Sequence, residues 1–252
     1  MAPIIELKNV YKRFGDNIIY EDMSFAVEAG ETFTIIGGSG MGKSVCLKLM
    51  IGLLPYDKGN ILYRGREVAD MDREHLRELR RNVAMVFQGG ALFDSMNVFD
   101  NVTYALREHT KMSDQEMLER AKECLDMVGL GYDPDILYRM PASLSGGMRK
   151  RAALARSIAI KPEVILYDEP TTGLDPANIN RIGKMIMKLQ KELGVTSIVV
   201  THDMPIAKEC SDRVAMLHQR RFPYIGTPDE LWNHPAAEVS DFIQGRYYED
   251  KD

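Results

Sequence analysis

Short apolar runs rich in Val and Ile alternate along the chain with segments of helical period, the pattern of an α/β protein. The runs predict strands at 4–10, 18–27, 32–37, 60–65, 83–88, 164–168, 196–202 and 213–218. Residues 164–168, "VILYD", are apolar at every position before the Asp, as in a strand covered on both faces. Between them, Ser113 and Glu116 form a capping-box pair, with Leu118, Ala121, Leu125 and Val128 recurring behind it on one helical face. Asp175 and Pro176 supply an N-cap and a first-turn proline for a second long stripe: Ile179, Ile182, Ile186, Leu189 and Leu193. That stripe reads as core. One stretch, "VFQGGALFDSMNVFDNV" at 86–102, has no single period, yet it carries Leu92, Phe93, Met96 and Phe99 beside two glycines. Apolar side chains in a loop need something to cover them.

No strand is predicted between 89 and 160. The organisation expected is therefore one domain over 1–245: an α/β core of about 1–88 and 161–245, a helical subdomain of about 89–160, and a frayed tail at 246–252. A chain of 252 residues can bury a full core. The net charge of −5 argues against a dedicated nucleic-acid binder, and the basic stretch from Arg73 to Arg81 reads as a solvated helix face. Cys46, Cys124 and Cys210 are scattered, with no CxxC pair, and read as buried free thiols in a reducing compartment. The N-terminus meets charge too early for a signal peptide, and no apolar run is long enough to span a bilayer. A soluble cytosolic protein that docks on a membrane component is expected.

The strongest chemical signal is "GGSGMGKS", residues 37–44, directly after an apolar strand and leading into a helix. Gly37, Gly38, Ser39, Gly40, Gly42, Lys43, Ser44 and Val45 make the expected phosphate-binding run. Glycines let the backbone wrap phosphates, and amides at the helix start converge on the anion. Lys43 reaches the terminal phosphates, and the Ser44 hydroxyl ligates Mg²⁺. Asp168 and Glu169 follow the apolar strand at 164–168. With a P-loop upstream, the first carboxylate suits Mg²⁺ and the second suits the attacking water. "LSGGMRKR" at 144–151 then provides a second glycine-led helix start, at Ser145, Gly146 and Gly147. One nucleotide does not need two such loops from one chain. The simplest solution is a two-fold homodimer in which each copy's second loop serves the nucleotide held by the other.

With these motifs the chain resembles the nucleotide-binding subunits of ABC transporters over nearly its whole length, which implies their P-loop ATPase fold with an inserted helical subdomain. The resemblance implies that Phe14 stacks on adenine and that Gln88 senses Mg²⁺ and water. It further implies that 144–148 is the signature motif, Asp175 the D-loop residue and His202 the switch histidine at the γ-phosphate. Glu169, His202 and Gln88 are then catalytic, and Ser44, Gln88 and Asp168 hold the metal. Met148 stands where the family more often has Gln, which leaves the backbone and Ser145 contacts intact. In this family the segment after the Gln receives a coupling helix of the membrane permease, so Leu92, Phe93, Met96 and Phe99 become an apolar docking groove. "GALFDSMNVFDNV" and the Met-ending signature are most similar to ATPases of Mla-type lipid trafficking. That likeness implies a permease, an MCE-type substrate-binding protein and a phospholipid cargo at the cytoplasmic face of an inner membrane. An ATPase of another importer, such as an amino-acid transporter, is the alternative. A non-transport ABC ATPase acting on nucleic acid is a third reading, opposed by the apolar groove and the acidic charge.

Overall fold

The computed structural model describes residues 2–244; the expected tail at 246–252 lies outside the described residues. The chain begins with β1 (Ile5–Phe14), β2 (Asn17–Val27), β3 (Thr32–Gly37) and α1 (Lys43–Met50). There follow β4 (Lys58–Tyr63), β5 (Arg66–Glu67), α2 (Arg73–Asn82) and β6 (Val83–Val86). The helices α3 (Val98–His109), α4 (Asp114–Met127) and α5 (Gly146–Ala159) lead to β7 (Val164–Asp168) and α6 (Pro176–Leu193). Next come β8 (Thr196–Thr201), α7 (Met204–Cys210), β9 (Arg213–His218) and β10 (Arg221–Gly226), then α8 (Pro228–Trp232) and α9 (Ala237–Ile243). The eight predicted strands are all present, with ends shifted by a few residues.

The chain divides into two compact units, 1–80 with 196–252, and 81–195. In the first unit β2, β1, β4 and β5 form an antiparallel sheet, while β10, β9, β3 and β8 lie side by side in a second sheet. There β3 runs parallel to both β8 and β9, and β10 returns antiparallel along β9. Every residue of β3 and β8 is buried, so these strands need apolar or hydroxyl side chains throughout and show no alternation. Strand β10 was not predicted because "RFPYIG" carries a proline, which suits a strand edge, and the register shifts across it. Tyr224 on β10 joins Met216, Leu231, Val239 and Phe242 in a buried cluster that holds α8 and α9 on the sheet.

In the second unit β6 pairs parallel with β7, whose five residues are all buried. The Ser113–Glu116 capping box forms as predicted, and Ala121, Leu125 and Val128 are buried. Buried Arg120 turns its guanidinium onto the last carbonyls of α5, donating from Nε to Ala159 (2.9 Å) and from Nη2 to Ile158 (2.6 Å). A cation placed there satisfies orphan acceptors and opposes the negative end of the helix dipole. The three cysteines are free and buried, and burial raises the thiol pKa of Cys124 and Cys210 to about 11. No described helix is long and apolar enough to cross a membrane.

Candidate functional site

The phosphate-loop residues belong to the first unit. Strand β3 ends at Gly37, and the chain turns through Gly40 (φ 79°) and Gly42 (φ 98°) into α1. Only glycine adopts this conformation freely. At Gly42 there is no room either: a Cβ would lie 2.5 Å from Ile19 Cγ2. Buried Tyr20 donates its hydroxyl to the Gly42 carbonyl, fixing the turn from below the loop's first helical residue. Burial accordingly pushes the Tyr20 phenol far above its usual pKa. Lys43 is buried, with its ammonium donating to the carbonyls of Gly37 (2.8 Å) and Gly38 (2.9 Å). Helix α1 has no side-chain N-cap and no acidic residue in its first turn. The helix therefore brings no carboxylate of its own first turn to its leading amides.

The same unit carries His202 and Phe14. Ile36 of β3 is level with Thr201 of β8, so His202 leaves its strand at the carboxyl end beside Gly37. Ligands of parallel α/β sheets are bound at such ends. Phe14 ends β1 and stays 46% exposed, with the Lys12 ammonium 4.6 Å from its ring centre. A ring exposed in this way leaves a face open to a planar group.

The second unit carries Gln88, the Ser-Gly-Gly turn, the two carboxylates and Asp175. Val86 of β6 is level with Tyr167 of β7, so Gln88 and the Asp168–Glu169 pair leave neighbouring strands at one end. Asp168 and Glu169 are 7% and 9% exposed. Glu169 has φ 47°, a left-handed conformation that costs a residue with a Cβ on the order of 1 kcal/mol. Ser145 is the N-cap of α5, accepting from Met148 N at 3.3 Å, and Gly146 beside it is exposed. Gly147 lies against Asn178, where a Cβ would meet Oδ1 at 3.0 Å. Asn178 in turn donates to Asp175 Oδ2 (2.5 Å), and Asp175 caps α6 by accepting from the amides of Ala177 and Asn178 (3.0 Å each). These bonds, the Asn178 side chain first, hold the Asp175 carboxyl below its usual pKa. One asparagine thus lies against Gly147 and hydrogen-bonds Asp175.

The aperiodic stretch after Gln88 is held by two residues whose roles the sequence did not disclose. Asn101, fully buried on α3, accepts from Phe93 N (2.8 Å) and shares its two N–H donors among the carbonyls of Phe93 (3.1 Å), Met96 (2.9 Å) and Asn97 (3.0 Å). Arg156 on α5 donates to the carbonyls of Gly90 (3.0 Å) and Ala91 (2.7 Å). With its backbone fixed in this way, the loop leaves Phe93 42% exposed, packed on Tyr104 at 4.8 Å, while Leu92, Met96 and Phe99 are half-buried.

The ABC transporter family profile matches residues 20–172. The chain belongs to that family. Its members hydrolyse ATP. The "Probable ribonucleotide transport ATP-binding protein mkl" of Mycobacterium leprae is 39% identical over 98% of this chain and 70% of its own length. The "Intermembrane phospholipid transport system ATP-binding protein MlaF" of Escherichia coli is 38% identical over 97% of this chain and 90% of its own. Among solved structures, the dimeric post-hydrolysis state of the ATP-binding cassette MJ0796, bound to ADP and Pi, superposes with a TM-score of 0.81. It is 32% identical and covers 89% of this chain and 98% of that one. The fold is that of an ABC ATPase cassette.

Proposed function

We propose that two copies of this chain close around two ATP molecules and drive a membrane permease that moves phospholipid or a related hydrophobic cargo. One observation carries the dimer. Among the described α-helices, α1 and α5 alone start without a carboxylate at the N-cap or in the first turn. Each chain thus offers two anion-receptive helix starts, and two copies offer a pair to each nucleotide.

In this reading the loop amides from Gly38 to Val45 and the Lys43 ammonium take the phosphates, while Phe14 stacks on the base. Ser44 and Asp168 are hard oxygen donors of the kind Mg²⁺ accepts, with Gln88 as a third. Among the described residues no group of three or more His, Cys, Asp or Glu side chains could hold a metal without the nucleotide. Bound Mg²⁺ would neutralise charge on the phosphate oxygens. Glu169 accepts the proton of the attacking water, Gln88 orients that water, and His202 donates to the γ-phosphate. Ser145, Gly146 and Gly147 close over the nucleotide of the opposite copy, with Asp175 beside them. Energy reaches the permease because ATP binds the closed dimer more tightly than the open one.

Leu92, Phe93, Met96 and Phe99, on a loop pinned by Asn101 and Arg156, form a firm apolar seat for a permease helix at the cytoplasmic face of an inner membrane. The name of the Escherichia coli relative and the string "GALFDSMNVFDNV" support the lipid cargo and an MCE-type binding protein in the complex. The test is capture of Glu169→Gln protein with ATP from native membranes, followed by mass spectrometry. A permease with an MCE protein and phospholipid supports the reading. A permease for a polar solute keeps the ATPase and discards the cargo. Recovery of soluble partners alone removes the docking seat.

A further inference from the structure

Lys150 stands in the second turn of α5, five residues after Ser145. Its Nζ donates to the carbonyl of Thr172 at 2.6 Å. Thr172 closes a turn back on the glutamate, its amide donating to the Glu169 carbonyl at 3.3 Å. Glu169 occupies the left-handed region at φ 47°, a conformation that persists only where its surroundings over-determine it. Lys150 is half-buried and within electrostatic reach of Glu169. Burial lowers the lysine pKa, and the glutamate's charge works against that shift. One side chain therefore touches the turn that holds the carboxylate, while its backbone belongs to the helix whose first residues are proposed above to serve the other nucleotide.

We propose that Lys150 is a positioning residue, fixing the Glu169 turn to the signature helix so that nucleotide engaged by α5 in one site sets the carboxylate of the other. This rests on the roles proposed above for Ser145 and Glu169. The hydrogen bond joins two segments of the same chain, so the coupling needs no contact across the dimer. Lys150 carries no part of the chemistry. Displacing the turn by a fraction of an ångström is enough to slow the step, because an attacking water tolerates little misalignment.

The test is steady-state ATP hydrolysis by the full chain carrying Lys150→Met, with kcat, KM and the Hill coefficient for ATP measured beside the parent. The expected result is a fall in kcat of about tenfold, a KM within about twofold of the parent, and a Hill coefficient moved toward unity. Lys150→Arg, which keeps a charged donor for Thr172, restores most of the kcat. Thermal melts of both variants show whether the fold is kept; if Lys150→Met does not fold, Lys150→Ala, which also removes the donor, takes its place in the same comparison. Unchanged kcat and Hill coefficient, with Lys43→Ala and Glu169→Gln inactive, overturn the proposal and leave the site reading intact. A loss confined to KM also overturns it, since the residue would then serve binding. Parent-like turnover by Glu169→Gln removes the underlying reading instead.

Discussion

The phosphate loop at 37–45 and the apolar loop at 89–97 are both irregular segments held rigid, but by opposite means. At the phosphate loop, in the reading proposed above, the backbone itself is the binding surface, so the sequence must supply glycine at φ 98° and a helix start free of carboxylates. Its support from elsewhere is small: Ile19 fills the space under Gly42 and Tyr20 takes one carbonyl. At the apolar loop the side chains are the surface, and rigidity comes from outside the segment. Asn101 and Arg156 take up carbonyls of Gly90, Ala91, Phe93 and Met96, so Phe93 can remain exposed without the loop collapsing onto it. A backbone-made site tolerates almost no change within its own sequence. A side-chain-made surface tolerates change within itself and is vulnerable at its distant supports.

The contrast breaks first at Gly42. Gly42→Ala meets both a forbidden φ and a 2.5 Å clash, so a loss of about 2–4 kcal/mol in chemical denaturation and loss of nucleotide binding are expected. Near-parent stability with retained binding would show that the loop can re-form. Next comes Asn101→Ala, which strips from the 93–97 backbone one acceptor and the two N–H donors shared among three carbonyls. It should cost about 2–3 kcal/mol and abolish permease capture, while ATP hydrolysis by the isolated subunit stays within about twofold. Equal damage to hydrolysis would mean that the two loops are not independent. Phe93→Ser is the mildest. Stability should move by no more than about 0.5 kcal/mol, since the ring is already half in solvent, yet co-purification of the permease should fall.

The same contrast explains what could be read from the sequence. The P-loop, the carboxylate pair and the Ser-Gly-Gly turn are local: each packs its chemistry into a few consecutive residues, and the first two follow strands buried along their whole length. The predicted strand at 164–168 and the capping box at 113–116 followed from the same locality. Asn101, Arg156, Tyr20 and Lys150 act on segments 4 to 66 residues away in sequence, so no window of periodicity or motif discloses them. Strand β10 was hidden by a proline, and α3 by the loop that runs into it, where Val98 and Val102 are buried but Phe99 is only half so. The apolar residues of 86–102 puzzled as a loop because their supports lay elsewhere.

The central claim is that ATP joins two copies of this chain through the two carboxylate-free helix starts. Light scattering on purified Glu169→Gln protein, with and without saturating Mg-ATP, tests it most directly. A mass that doubles with ATP, and fails to double when Ser145→Arg is added to block α5, is the result predicted. A Glu169→Gln protein that stays monomeric at saturating ATP would contradict it.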